Sequence, residues 1–220
     1  GVVGVPDELL VALEKRFLDS AAPRDLTVFF GGGPGDGKDQ GLNRIAHEGL
    51  VSRAIGGHWG LVPKLGAMAL AGQIEAYNLP LGVISHLYRN IAAGLPGNLS
   101  PVGLGTFVDP RLEGGRINAR TTQDIVEVTT LAGREMLFYH APKPNVAFIR
   151  ASSADTDGNL TLEREALTQD TLAIAMAVKN SGGVVIAQVQ YVSQAGTLAP
   201  RQVKVPGILV DCVVVAQPQH

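Results

Sequence analysis

Between Leu26 and Val51 the chain reads LTVFFGGGPGDGKDQGLNRIAHEGLV, and the stretch GGPGDGKD, Gly32 to Asp39, stops one residue short of a phosphate-binding P-loop. Such a loop needs a Ser or Thr after its Lys to ligate magnesium, and amides free of nearby negative charge to cradle phosphates. Asp39 stands where the hydroxyl residue is required, and Asp36 adds a second carboxylate inside the loop. Each would repel a triphosphate. A dinucleotide fingerprint fails as well, because Asp36 occupies the place of the third glycine after Gly31 and Gly33. What remains is a cluster of small residues, Gly31, Gly32, Gly33, Pro34, Gly35 and Gly37, directly after an apolar run. Open α/β sheets place ligands at the carboxyl ends of strands, where glycine lets backbone amides approach them closely; the plain alternative is a mobile turn. Gly1 to Pro6, Gly56 to Gly60 and Gly103 to Gly105 are further Gly-rich loops. Gathered at one sheet edge, they would form a pocket without any charged catalytic group.

Other chemistry-bearing residues are weaker candidates. His47, His58, His86 and His140 lack a metal-ligand spacing, and a structural or surface role is expected for each; no metal site is assigned. ADTDGN, from Ala154 to Asn159, imitates the start of a calcium loop, but its Gly158 comes too early and Ala166 stands where a Glu is needed, so it reads as a turn. Ser152 and Ser153 lack the context of a nucleophilic serine. Arg111, Arg116 and Arg120 around a long loop could meet carboxylate or phosphate, although an exposed Arg in a polar loop is commoner. Trp59 either packs against a ligand or closes the start of a helix.

The elements that must position these loops follow from periodicity. Asp7 to Asp19 carries a helical stripe of Leu9, Leu10, Leu13, Phe17 and Leu18 behind Pro6. LTVFF is a buried strand, Gly41 to Arg53 a weak helix, AIGG a short strand, Val62 to Ala71 a helix, QIEAYN a strand, and Leu81 to Ala93 a helix after Pro80. Gly94 to Arg120 is rich in Gly and Pro with almost no periodicity, the mark of a functional loop. VEVTTLAGREMLFYH reads as a hairpin around Ala132 and Gly133. NVAFIRAS is a strand, Ala166 to Val178 a helix, and VVIAQVQYV and VDCVVVA are two more strands. This order predicts an α/β fold: a mostly parallel sheet with flanking helices, an added β-hairpin and a long Gly/Pro loop.

Composition agrees with one globular domain of 220 residues, with 45% hydrophobic and 17% charged residues and a net charge of −2. That balance argues against disorder and against a nucleic-acid partner. No apolar run approaches the ~18 residues of a spanning helix, so no membrane partner and a cytoplasmic location are expected. The single Cys212, inside DCVVVA, reads as a buried thiol. The chain opens without Met and with no strand ahead of its first helix, and ends just after a strand, which reads as truncation at the N-terminus and absence of a C-terminal part.

The segments GVVGVPDELL, GGGPGDGKDQG, IEAYNLPLGVI, VGLGTFVDPRLEGGRINART, AFIRASSADTDGNLTLERE and VKVPGILVDCVVVA, in this order, resemble the N-terminal, alpha-type half of family I coenzyme A transferases. The likeness spans nearly all 220 residues and is greatest to the fused acetate and propionate CoA-transferases. It implies a ping-pong enzyme that moves CoA from an acyl-CoA to a short-chain carboxylate, with no permanently bound cofactor and coenzyme A as part of the substrate. The family's nucleophile is a glutamate of the C-terminal half, in a Glu-Asn-Gly type motif that this sequence lacks, so no catalytic residue is expected here. Glu14, Glu75, Glu113, Glu127, Glu163 and Glu165 then read as solvated or ion-paired.

By the same resemblance, Gly31 to Gly35 flank the substrate carbonyl, Asn78 to Leu81 form the pocket wall, and Gly105, Thr106 and Phe107, with Gly103 ahead of them, face the acyl tail. Leu81 stands where the wider family often carries Gln. Either Asn78 or a backbone amide supplies the missing polar contact, or the pocket favours plain acyl chains over keto acids. The C-terminal half and a second copy of the chain are the expected partners. Two other classes stay open: a sugar-phosphate isomerase or sensor of the same general fold, using Asp36, Lys38 and Asp39 with His47 near, and a non-catalytic binding module or fragment.

Overall fold

Three helices begin where proline places them. α1 (Asp7–Ser20) follows Pro6, α2 (Pro63–Leu70) has Pro63 in its first turn, and α3 (Leu81–Ala92) follows Pro80. The fixed φ of proline suits a first turn, where its missing N–H costs nothing. The computed structural model describes residues 3–216. Gly1 and Val2, which open the first Gly-rich segment, and residues 217–220 at the expected chain end lie outside it.

β1 (Leu26–Phe30), β2 (Val51–Gly56) and β3 (Glu75–Asn78) form a parallel sheet in the order β1-β2-β3. A second parallel sheet takes β7 (Val146–Arg150), β10 (Val184–Val189) and β13 (Cys212–Val215) in the order β13-β10-β7, with α4 (Thr171–Asn180) between β7 and β10 in the chain. Helices α3 and α4 join the two sheets. Ile91, Ala92 and Ala177 pack together, and Asp170 accepts a hydrogen bond from Ser85 Oγ and forms an ion pair with Arg89, both at 2.9 Å.

The hairpin forms as read. β5 (Val126–Leu131) and β6 (Arg134–His140) meet across Ala132 and Gly133, both at positive φ (51° and 73°), which matches the twist of a two-residue hairpin turn. Its inner face buries Val126, Leu137 and Tyr139 against Leu79, Val83 and Leu87, so it backs α3. A small mixed sheet holds β8 (Ser153–Asp155), β9 (Leu160–Thr161), β11 (Tyr191–Ser193) and β12 (Val203–Val205).

The fold class is as expected, parallel strands flanked by helices, with the parallel strands lying in two sheets. Four expectations are corrected. The helix read over Gly41 to Arg53 is a 3₁₀ turn at Leu42–Ile45 and then β2: Gly49 at φ 83° breaks any helix, and Val51 starts pairing with β1. Inside the Gly/Pro loop, Gly97–Ser100 forms β4, which pairs with β6. α4 starts at Thr171 rather than Ala166, because Gln169 sits at φ 49°. The Cys212 thiol is exposed, not buried: β13 is an edge strand whose Val213 packs inward while Cys212 does not. The ADTDGN segment is the turn expected, with Asp155 Oδ1 accepting from the amides of Asp157 (3.1 Å) and Asn159 (2.9 Å).

Buried and hydrogen-bonded carboxylates set the acid limit of this fold. Burial acts to raise the pKa of Asp7, but Arg44 and the Gly41 amide outweigh it and hold the group below its ordinary 3.8. Asp155, chiefly through Asn159, and Asp211, chiefly through Lys179, are lowered too. A carboxylate with a depressed folded-state pKa contributes stability above its unfolded pKa and loses it as pH falls through the folded value. The denaturant midpoint should therefore hold level down to about pH 5 and drop steeply below about pH 4. An unchanged midpoint between pH 5 and pH 3 would contradict this.

Candidate functional site

The Gly31–Gly35 segment leaves the carboxyl end of β1 and packs against the residues that follow β2. Phe30 and Gly57 are joined by a hydrogen bond from the Gly57 amide to the Phe30 carbonyl (3.1 Å), and a side chain on Gly57 would meet the Gly31 oxygen at 2.8 Å and the Leu81 Cα at 3.0 Å. The two strand ends and the start of α3 thus approach as closely as glycine permits. Gly33, at φ 62°, lies against His58: a Cβ there would stand 2.3 Å from the His58 carbonyl oxygen. Gly35 bridges to Gly41 and lies against Leu61, whose carbonyl would be 2.3 Å from a Cβ. The Pro34 carbonyl accepts the Leu42 amide (2.8 Å), closing the loop.

Two buried polar residues hold this loop from outside. The Asp7 carboxylate accepts the Gly41 amide at Oδ1 (2.8 Å) and a fork of hydrogen bonds from Arg44 across both oxygens. Asn43 donates to the carbonyls of Gln40 (2.9 Å) and Leu61 (3.0 Å) and accepts the Lys64 amide at the start of α2 (3.1 Å). Trp59 sits between β1 and the start of α2. It packs edge-on against Phe30 with centroids 5.3 Å apart, and its carbonyl accepts the Val62 amide ahead of α2.

At the end of β3, Asn78 turns its side-chain NH2 to the carbonyls of Gly56 (3.2 Å) and Gly57 (3.3 Å). That NH2 is therefore committed to the scaffold. Asn78 also donates its backbone amide to the Gly115 carbonyl (2.8 Å), and the Gly115 amide donates to the Phe107 carbonyl (3.0 Å). Gly115, at φ 76°, would place a Cβ 3.0 Å from the Asn78 oxygen. Through Gly115 the Gly105–Phe107 turn is brought beside Asn78, and Leu104 packs in the same cluster as Leu79 and Val83 of the α3 start. Leu81 is 49% and Phe107 44% exposed, two large apolar groups left uncovered at this edge.

Gly31, Asn78 and Leu81 thus meet around Gly57, Gly33 and Gly35 lie against the His58–Leu61 segment that follows, and Phe107 is linked to Asn78 through Gly115. Sequence reasoning missed what links them: Gly57, Gly115, and the carboxylate of Asp109, which accepts the Gly105 amide (2.9 Å) and a guanidinium fork from Arg111. The spacing VDPR, an acid two residues before an Arg, was the available signal. Arg111 and Arg116 are engaged with Asp109, Glu135 and Asp124. No group of His, Cys, Asp and Glu that could hold a metal is present among the described residues. No helix among them is long and apolar enough to cross a membrane.

Five of the six glutamates singled out in the sequence have partners within the chain. Glu14 pairs with His47 (2.8 Å), Glu75 with Arg53 (2.5 Å), Glu127 with His140 and Glu165 with Arg150 (3.0 Å), and Glu163 accepts from the Tyr191 hydroxyl (3.1 Å). The sugar-phosphate set does not assemble. Asp36 accepts amides of its own loop, from Lys38 (2.9 Å) and Gln40 (3.0 Å), Asp39 pairs with Lys64, and His47 is held on α1.

A parallel α/β scaffold with a glycine-built strand-end edge is the class these observations define. Residues 1–216 match the family model described as coenzyme A transferase, and the chain belongs to that family. It is 45% identical to the caffeate CoA-transferase of Acetobacterium woodii over 98% of this chain and 41% of that protein. It superposes with a TM-score of 0.96, at 42% identity, on the acyl-CoA transferase YdiF of Escherichia coli O157:H7 solved as a thioester complex with CoA, over 99% of this chain and 43% of that one. It is also 29% identical to the acetate CoA-transferase subunit alpha of Escherichia coli K12, over 98% of this chain and 86% of the subunit. The chain thus spans about two fifths of the first two proteins and most of the third.

Proposed function

We propose that this chain forms the acyl side of an acyl-CoA:carboxylate CoA-transferase for short acyl groups of the acetate and propionate type. The observation that carries the reading is the meeting of the Gly31–Gly35 loop, Gly57, Asn78 and the start of α3 at one strand-end edge, in a chain of this family. A thioester carbonyl placed there meets backbone amides and the N-terminal end of α3, both suited to a developing oxyanion. Each well-aimed donor contributes about 3 kcal/mol to such a transition state. Because the Asn78 NH2 is committed and Leu81 cannot donate, these contacts come from backbone, and the wall that Leu81 and Phe107 present suits a plain acyl chain.

The nucleophile is a glutamate outside this chain. Its carboxylate attacks the thioester carbonyl, expels CoA thiolate and leaves an acyl-glutamyl anhydride. The thiolate then attacks the glutamyl carbonyl, releasing the carboxylate and leaving a glutamyl-CoA thioester, from which an incoming carboxylate takes CoA by the reverse steps. The half that supplies the glutamate is the necessary partner, on the same polypeptide or as a second subunit; the relatives of both lengths support either arrangement. The assembly is a homo-oligomer of such pairs in the cytoplasm.

The test is mass spectrometry of the protein made from the complete gene, treated with acetyl-CoA and then borohydride, which reduces a glutamyl thioester to the alcohol. With the half that supplies the glutamate present, a mass loss on one glutamate outside these 220 residues is expected. No modification with any short acyl-CoA would overturn the reading, and faster labelling by an aromatic acyl-CoA would overturn its short-chain part.

A further inference from the structure

The turn that carries Phe107 is held by a device more elaborate than a surface loop requires. Asp109 is 1% exposed, and its carboxylate accepts from the Gly105 amide (2.9 Å), the Arg111 amide (3.0 Å), Arg111 Nε (2.9 Å) and an Arg111 terminal nitrogen (2.7 Å). Arg111 reaches on to Glu135 of β6 with both terminal nitrogens, at 2.9 and 3.1 Å. Tyr139, also on β6, donates its hydroxyl to the Val102 carbonyl (2.5 Å) just ahead of the turn. Planar, bidentate Arg–carboxylate contacts fix geometry far more tightly than single hydrogen bonds.

The held segment bears on the candidate pocket. Gly105 (φ 69°) lets the chain reverse, Thr106 closes the turn through its hydroxyl on the Gly103 carbonyl (2.8 Å), and Phe107 comes out half exposed, bonded through Gly115 to Asn78. The buried Val108 and the carboxylate of Asp109 fix its far side.

We infer that Asp109 is a positioning residue that acts through the Gly105 amide to fix Phe107 as the stop that limits acyl-chain length. The inference rests on the transferase reading above. With the clamp intact, Phe107 ends the acyl pocket and short chains are preferred; with it loosened, the ring gives way and longer chains enter, since a wall of one side chain discriminates only while it cannot move. Asp109 touches no reacting atom, so the half-reaction with the shortest donor needs no help from it.

In the complete protein, kcat/KM is measured with acetyl-CoA and hexanoyl-CoA for the unmodified enzyme, Asp109→Asn, Phe107→Ala and the double variant. Asp109→Asn should lower the acetyl-to-hexanoyl ratio about tenfold, mainly through a lower KM for hexanoyl-CoA, with kcat for acetyl-CoA kept within about threefold. In the Phe107→Ala background it should change the ratio no further. General destabilisation would instead lower both donors together and persist in that background. If Asp109→Asn does not accumulate as folded protein, Glu135→Gln, which frees only the outer end of Arg111, should move the ratio the same way by a smaller factor. An unchanged ratio in active variants, or an effect that survives Phe107→Ala, overturns the clamp and leaves the transferase reading intact. An unmodified protein that transfers CoA from neither donor overturns both.

Discussion

Replacing Gly33 by Ala is expected to slow formation of the glutamyl-CoA thioester in the complete protein about a hundredfold, with far less effect on folding. The Cβ would stand 2.3 Å from the His58 carbonyl and would have to be carried at φ 62°. The positive φ costs ~1–2 kcal/mol, which a domain can absorb. The contact cannot be absorbed in place. A Cβ and a carbonyl oxygen need roughly 3.2 Å, so the Gly33 loop or the His58 turn must retreat by close to 1 Å, and misplacement on that scale costs about 10² in rate. Pre-steady-state labelling with acetyl-CoA measures this directly. A rate within a few-fold of the unmodified protein would show that the loop does not face the reacting carbonyl. Gly182, at φ 78° with open space where its Cβ would stand, is the natural control: alanine there should bring only the backbone strain.

Leu87→Ala is expected to bring the largest loss of stability, about 4 kcal/mol, in the upper part of the range for buried leucines. Leu87 is fully buried on α3 between the first sheet and the hairpin, and it lines a partly open pocket of about 120 Å³ with Phe29, Ile55 and Ile125. The deleted atoms would leave a void between two backing sheets that are held in place by their own pairing. Urea unfolding, compared with Leu70→Ala at a position 79% exposed on α2, should separate the two by most of that amount. A difference below about 1 kcal/mol would mean that α3 repacks freely, and that it is not the rigid member joining the two sheets.

Much of this architecture was legible because local signals agreed with tertiary ones. The stripe on α1, the prolines at helix starts, and the Ala132–Gly133 turn between alternating strands each specify their element without help from distant residues. β4 was hidden because Gly97 and Asn98 have no strand propensity; they pair because β6 offers an edge. β8, β9 and β12 are two or three residues long, too short for any period to show. Cys212 misled because an apolar run says that a strand is buried, not that it lies at an edge. At the site, glycines announced the edge, while the contacts that unite it, from Gly57 to Leu81, Gly115 to Asn78 and Asp109 to Gly105, are between backbones or through a turn, and leave almost no trace in side-chain type.

Helix α1 is fastened at its first turn to both halves of the molecule. Asp7 serves Gly41 and Arg44, and the Glu8 amide donates to Gln188 Oε1 (3.0 Å) at the end of β10. That last contact spans 180 residues of chain, whereas β1, β2 and β3 pair across short connections. Closing a long loop is entropically harder and slower than closing short ones. Refolding is therefore expected to build the local strand–helix–strand units first and to seat the N-terminal helix last. Since Gly41 borrows its acceptor from that helix, the glycine loop takes its final shape only once the helix is seated.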